Sequence, residues 1–195
     1  MTGKTSGVWA KISKIAPHAI FTHCMLHRES LASKTMGLEL KFAFDQVIKI
    51  VNFVKARPLN SRLFRKLCSE MGAEHEHLLL HSDVRWLSRG KVLNRLFELR
   101  EPLRIFLESK NSELSSHLVN VDWLAALAYL ADIFEHLNTL NSSMQGPQTH
   151  LITLNDKIAR FMAKRDVWQQ RVSNGILDNF PQLKVFLQLS EAVGV

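Results

Sequence analysis

The densest collection of groups able to hold a nucleic acid lies between His81 and Arg100, where Arg85, Arg89, Lys91 and Arg95 flank Trp86. Cations neutralise phosphates, and an indole face takes a splayed base, with stacking worth about 1–3 kcal/mol per base. The same residues have a plainer role, with Trp86 anchoring a helix start in the core, and on residue chemistry alone that role is the stronger. His23, Cys24 and His27 form an HCxxH group, and His75, His77 and His81 follow some fifty residues on. The ligand types suit zinc but the spacing does not: zinc pairs usually sit on turns, whereas Cys24 falls in a β-prone apolar run where a cysteine packs as a small hydrophobe. No metal and no other cofactor is expected. Gly3-Lys4-Thr5 imitates the end of a phosphate loop without its upstream half. No Gly-x-Ser-x-Gly is present, and nothing orients a third partner for Cys24 and its histidines. Two-metal phosphoryl chemistry needs converging carboxylates, and the basic first third offers only Glu29, Glu39, Asp45 and Glu70 at ordinary surface spacing. A catalytic site is therefore not expected, nor a small-molecule substrate.

The elements that would position these groups come from a chain of 195 residues, 46% hydrophobic and 22% charged, enough to bury a core without staples. Two cysteines, Cys24 and Cys68, exclude a disulfide framework and fit a reducing compartment. The longest apolar run, Trp123 to Phe134, is broken by Asp132 and is too short to span a bilayer. Lys4, Lys11 and Lys14 precede no apolar block followed by small residues, so no secretory leader is expected. The net charge of +7 is uneven: residues 1–70 hold 12 Lys/Arg against 4 Asp/Glu, residues 71–120 hold 7 of each, and residues 121–195 hold 6 against 7. The basic excess thus belongs to the first third, where it either attracts phosphate backbones or is a solvated surface spread over several helices.

Hydrophobic spacing predicts a short helix over Val8–Ile15 ended by Pro17, and a buried strand over Ala19–Leu26, apolar on both faces. A helical pattern resumes at Arg28. After Gly37 a long helix runs from about Leu38 to Ala56, facing Phe42, Val47, Ile50, Val51 and Val54 to a core, and Arg57-Pro58 ends it. Ser61 is placed to cap a further helix reaching Met71 before Gly72. Leu78-Leu79-Leu80 is too short to classify. Trp86 to Leu107 reads as one amphipathic helix, broken near Glu101-Pro102. Two antiparallel helices follow, one carrying Trp123, Leu127, Leu130, Phe134 and Leu137, the other Leu151, Leu154, Ile158, Phe161 and Trp168, with Gly146-Pro147 between them. A last apolar cluster spans Leu183 to Leu189.

In order and spacing, four segments resemble the hAT superfamily of DNA transposases, especially the domesticated branch of zinc-finger BED-domain proteins and general transcription factor II-I repeat proteins. They are Thr22-His-Cys24-Met-Leu-His27, Val51 to Arg62, His81 to Arg100 and Leu137 to Gly146. The resemblance makes Cys24 and His27 a family motif on a strand of an RNase H-like fold. It gives Arg85 and Trp86 the start of a helical insertion domain, with the tryptophan handling flanking DNA. The family's Asp-Asp-Glu metal triad has no counterpart here, which implies a truncated, catalytically inactive derivative. The expected architecture is mainly α: a remnant of an RNase H-like α/β core with one or two strands over residues 1–80, then a helical insertion domain over residues 81–195. The expected function is nuclear DNA binding through Arg85, Trp86, Arg89, Lys91 and Arg95. The alternative is a helical scaffold that binds proteins, nuclear or cytoplasmic; neither reading involves a membrane.

Overall fold

The computed structural model describes residues 7–18, 36–80, 88–145 and 150–193, which are mainly helical and include no strand. The strand expected over Ala19–Leu26, with Cys24 and His27, and the helical pattern from Arg28 lie outside the described residues. The chain divides into two units, Met1–Thr35 and Met36–Val195. In the first, α1 spans Val8–Ile15 and closes with the Ala16 N–H on the Ile12 carbonyl at 2.8 Å, where Pro17 forbids another turn.

In the second unit, α2 spans Leu38–Lys55 and α3 spans Pro58–Glu70. Val47, Ile50, Val51 and Val54 enter the core as their spacing predicts, but Phe42 is 51% exposed and Phe44 is buried in its place. Position 44 falls with 47, 51 and 54 on one stripe, whereas 42 lies on the side of the helix away from it. Proline occupies the first position of α3, where its missing N–H costs no hydrogen bond. Ser61, expected to cap α3, instead lies inside it and donates its hydroxyl to the Val54 carbonyl at 2.8 Å, beside Asn60 Nδ2 donating to the Phe53 carbonyl at 2.9 Å. Those carbonyls belong to the last turn of α2 and have no intrahelical partner, so the opening of α3 caps the end of α2. Gly72, at φ +67°, ends α3 in the left-handed conformation.

Residues 73–80 form no regular element; Leu78 is buried and Leu80 exposed. Then α4 spans Ser88–Glu98 and α5 spans Arg100–Ser109, interrupted at Leu99. The sequence places this break at Pro102; it occurs one turn earlier because the amide that Pro102 lacks would have bonded the Glu98 carbonyl. A 3₁₀ helix, Glu113–Val119, leads into α6 at Val121–Ser143, and α7 at Leu151–Ser173 and α8 at Pro181–Val193 complete the unit.

The centre is α6. It buries Trp123, Leu124, Leu127, Leu130 and Phe134, apolar positions too widely spread round the helix for one stripe, because partners cover it from several sides. Its broadest packing is against α4, then α8 and α2. The approach of α4 is close at Gly90: a Cβ there would lie 2.4 Å from Asn138 Nδ2 and 3.3 Å from the Phe134 backbone. Residues of α2 and α3 share one core with those of α4, α5, α6 and α8, all within the unit that begins at Met36. The buried members of that core include none from α7. No single helix among the described residues is long and apolar enough to cross a membrane.

Candidate nucleic-acid interface

Arg85 and Trp86 lie outside the described residues. The other three sequence candidates sit on α4 without forming one patch, since positions 89 and 91 are about 200° apart round an α-helix. Arg89 is 8% exposed, with its guanidinium 5.3 Å from the centre of the Phe44 ring, which itself stacks on Phe134. Lys91 is exposed. Arg95 pairs with Glu98, Nε to Oε2 at 3.3 Å, and donates to the His77 carbonyl at 3.2 Å.

Glu98 also meets His75 Nδ1 through its other oxygen. Glu74, His75 and Glu98 could each turn one ligand atom towards a common ion. Yet both oxygens of Glu98 are already engaged, and the network serves to hold residues 75–77 against α4. The nearby Cys68 thiol is pushed up to about 11, first by burial and then by the charge of Glu76, which keeps it protonated and a poor metal ligand.

A second cationic site lies where α7 returns alongside α6. His136, facing Trp168, and Ser143, facing Lys157, show the two helices running antiparallel, as their sequence patterns predict. The groove between them, about 230 Å³, is lined by Lys157, Arg160, Phe161, Lys164 and Trp168 from α7 and by the end of α6. Lys157, Arg160 and Lys164 follow the i, i+3, i+7 spacing that keeps them on one face. Lys157 donates to the Ser143 carbonyl at the C-terminus of α6, where a cation is favoured by the helix dipole. Arg160 and Lys164 are exposed and make no ion pair among the described residues.

An aromatic joint fixes this face. Trp168, 9% exposed, stacks on His136 with ring centres 4.2 Å apart, and Phe161 and Phe180 meet it edge-on. His136 Nε2 lies 2.7 Å from the Asn179 carbonyl, an acceptor only, so that nitrogen carries the proton. Trp168 is thus an anchor rather than an open stacking platform, and the groove is suited to phosphates more than to bases.

Averaging over residues 121–195 conceals this site. Within that stretch α7 alone has five Lys/Arg against two Asp, while α6 has three acidic residues and no Lys or Arg. Counting charge over each amphipathic segment would have found it.

A family model, the FAM200/GTF2IRD2 helical domain, matches residues 23–173. The chain belongs to this family. That membership supports the relation to domesticated transposase-like proteins carried by the sequence motifs. The matched span of the FAM200/GTF2IRD2-like domain ends with the last residue of α7 and so includes the cationic face, while α8 follows it. No solved structure matches the chain.

Proposed function

We propose that this FAM200/GTF2IRD2-like domain is a catalytically inactive, hAT-transposase-derived nuclear module that binds DNA with little sequence preference. The observation that carries the reading is the cationic face of α7: Lys157, Arg160 and Lys164 along one groove, the last two exposed and held at fixed spacing by the Trp168 joint. Such a face follows a phosphate backbone, and each neutralised phosphate of B-DNA steepens the fall of log K with log salt by about 0.9. The basic first third adds exposed cations on α3, Arg62, Arg65 and Lys66, to the same electrostatic attraction. The inactive reading rests on the carboxylates of the first third, Glu29, Glu39, Asp45 and Glu70, whose ordinary surface spacing does not converge as two-metal chemistry requires. Arg85 and Trp86 keep their proposed role in gripping unpaired bases.

Fluorescence anisotropy with labelled duplex, single-stranded and hairpin DNA across a salt series tests this. The Lys157→Gln/Arg160→Gln/Lys164→Gln variant is expected to flatten the duplex salt slope by about two to three, whatever the base sequence. Trp86→Ala is expected to weaken single-strand and hairpin binding by about tenfold while leaving duplex binding in place. A folded triple variant with wild-type affinity and slope rejects α7 as the DNA site.

A further inference from the structure

A second groove, of about 630 Å³, is cut among the start of α2, the 3₁₀ helix and the start of α6. Its volume falls in the range of ligand sites. Three rings shape it: His117 lies over Trp123 with centres 5.6 Å apart and planes 29° apart, and Phe42 meets His117 edge-on at 5.7 Å. Two carboxylates, Glu39 and Asp122, stand beside the rings, and no lysine or arginine is among the lining residues.

The charged residues lining this groove are both acidic, with Lys49 near His117 but outside the lining. Burial, and secondarily the charge of Lys49, holds the His117 pKa below its ordinary value, so at neutral pH the imidazole adds no positive charge. The helix start is satisfied from within, because Asn120 Oδ1 accepts the Trp123 N–H at 2.8 Å and Asp122 offsets the dipole in the first turn of α6. Aromatic faces are electron-rich and attract a desolvated cation, whereas the carboxylates repel phosphate and acidic groups. Phe42 is an exposed aromatic side chain in a concave site, a combination that surface position alone does not favour.

We propose that this groove binds a lysine side chain of a basic polypeptide, with its alkyl stem along Phe42 and its ammonium between the open ring faces of Phe42 and His117 and the carboxylates of Glu39 and Asp122, while Trp123 backs His117 from beneath. The site is separate from the cationic face of α7 in both residues and sign of charge, so it stands whether or not that face binds DNA. Methylation of the lysine preserves the positive charge and enlarges its contact with the rings, so a trimethylated lysine is accommodated too.

The test is an NMR titration of the isotope-labelled full chain with short Gly/Ser peptides carrying one central residue: lysine, trimethyl-lysine or the neutral norleucine. The lysine and trimethyl-lysine peptides should shift the Trp123 indole signal and the amides of the 3₁₀ helix, with norleucine about tenfold weaker. Phe42→Ala and the double variant Glu39→Gln/Asp122→Asn should each weaken the lysine peptide about three- to tenfold, with circular dichroism and DNA affinity unchanged. Equal binding of norleucine and lysine overturns the proposal, as do folded variants that bind the lysine peptide like wild type. So does the absence of any shift at millimolar lysine peptide.

Discussion

Cys68 shows how one side chain reports on the environment the fold gives it. It is fully buried among apolar residues, and its thiol is pushed up to about 11 by that burial and by the field of Glu76. At pH 8 the nucleophilic thiolate is therefore a very small fraction of the population, in a site reagent cannot enter. A thiol reagent at pH 8 should leave Cys68 unmodified in native protein and label it once urea unfolds the chain; peptide mapping distinguishes it from Cys24. Rapid native labelling at position 68 would mean that α3 opens readily. Single residues also show what sequence spacing conveys and what it omits. Val47, Ile50, Val51 and Val54 were legible because helical period alone decides them, whereas Phe42 and Phe44, about 200° apart round the helix, are told apart only by where the partners lie. Ser61 was legible as a capping residue but not as to which helix it caps, since its partner, the Val54 carbonyl, becomes available only when the corner forms. Arg89 reads as a surface cation in any sequence count, and only the placement of Phe44 turns it inward.

Element ends carry the next level of control. The N-terminus of α8 is served from a distance: Asp132, buried in the middle of α6, accepts the Gln182 and Leu183 amides through its two oxygens at 3.2 and 3.1 Å. A sequence scan sees Asp132 only as an interruption of an apolar run, because the fifty-residue separation hides the amides it serves. Burial raises the Asp132 pKa, and the two amide bonds only partly oppose the rise. The folded state therefore holds this proton more tightly than the unfolded chain does. Asp132's contribution to stability is thus largest below the ordinary carboxylate value near 3.8 and is lost as pH rises through the higher folded value. Urea unfolding of wild type and Asp132→Asn between pH 4 and 7 should show wild type's relative stability declining as pH rises; a constant difference would mean that burial does not shift this group. Asp132→Ala, which strips both amides of their acceptor, should cost about 1–3 kcal/mol near pH 4 and less as pH rises, since alanine titrates no more than asparagine does. Pro102 acts at the same scale in the other direction. It was legible as a break, but its effect is felt at Leu99, a turn upstream of the residue that causes it.

Across the whole molecule, the second unit combines a core built from α2 to α6 and α8 with a helix, α7, that lies outside that core. After Leu38, α2, α3, α6 and α7 were legible from periodicity, α4 and α5 as one broken pattern and α8 only as an apolar cluster, while the 3₁₀ helix and the partners of α6 were not: adjacency in sequence favours α7, yet α4 and α8 make the broader contacts. This arrangement explains why the DNA face proposed here lay hidden beneath a regional charge near zero, with acidic α6 and basic α7 cancelling in the count while remaining distinct surfaces. It also separates function from stability in a way that can be measured. Trp168 is buried on α7, and its stack on His136 ties that helix to α6. Removing an aromatic anchor typically costs about 3–5 kcal/mol, but here the loss falls on a helix outside the core, so local release competes with global unfolding. Trp168→Ala should therefore raise hydrogen exchange along residues 151–173 while amides around Leu127 and Leu130 keep their protection. DNA affinity should fall with it, because the cations lose their common line even though every charge is still present. If α7 exchanges faster and DNA affinity is unchanged, the fixed spacing of Lys157, Arg160 and Lys164 is irrelevant to binding and the attraction is one of net charge alone; if the central amides exchange faster as well, α7 is part of the same cooperative unit as the core.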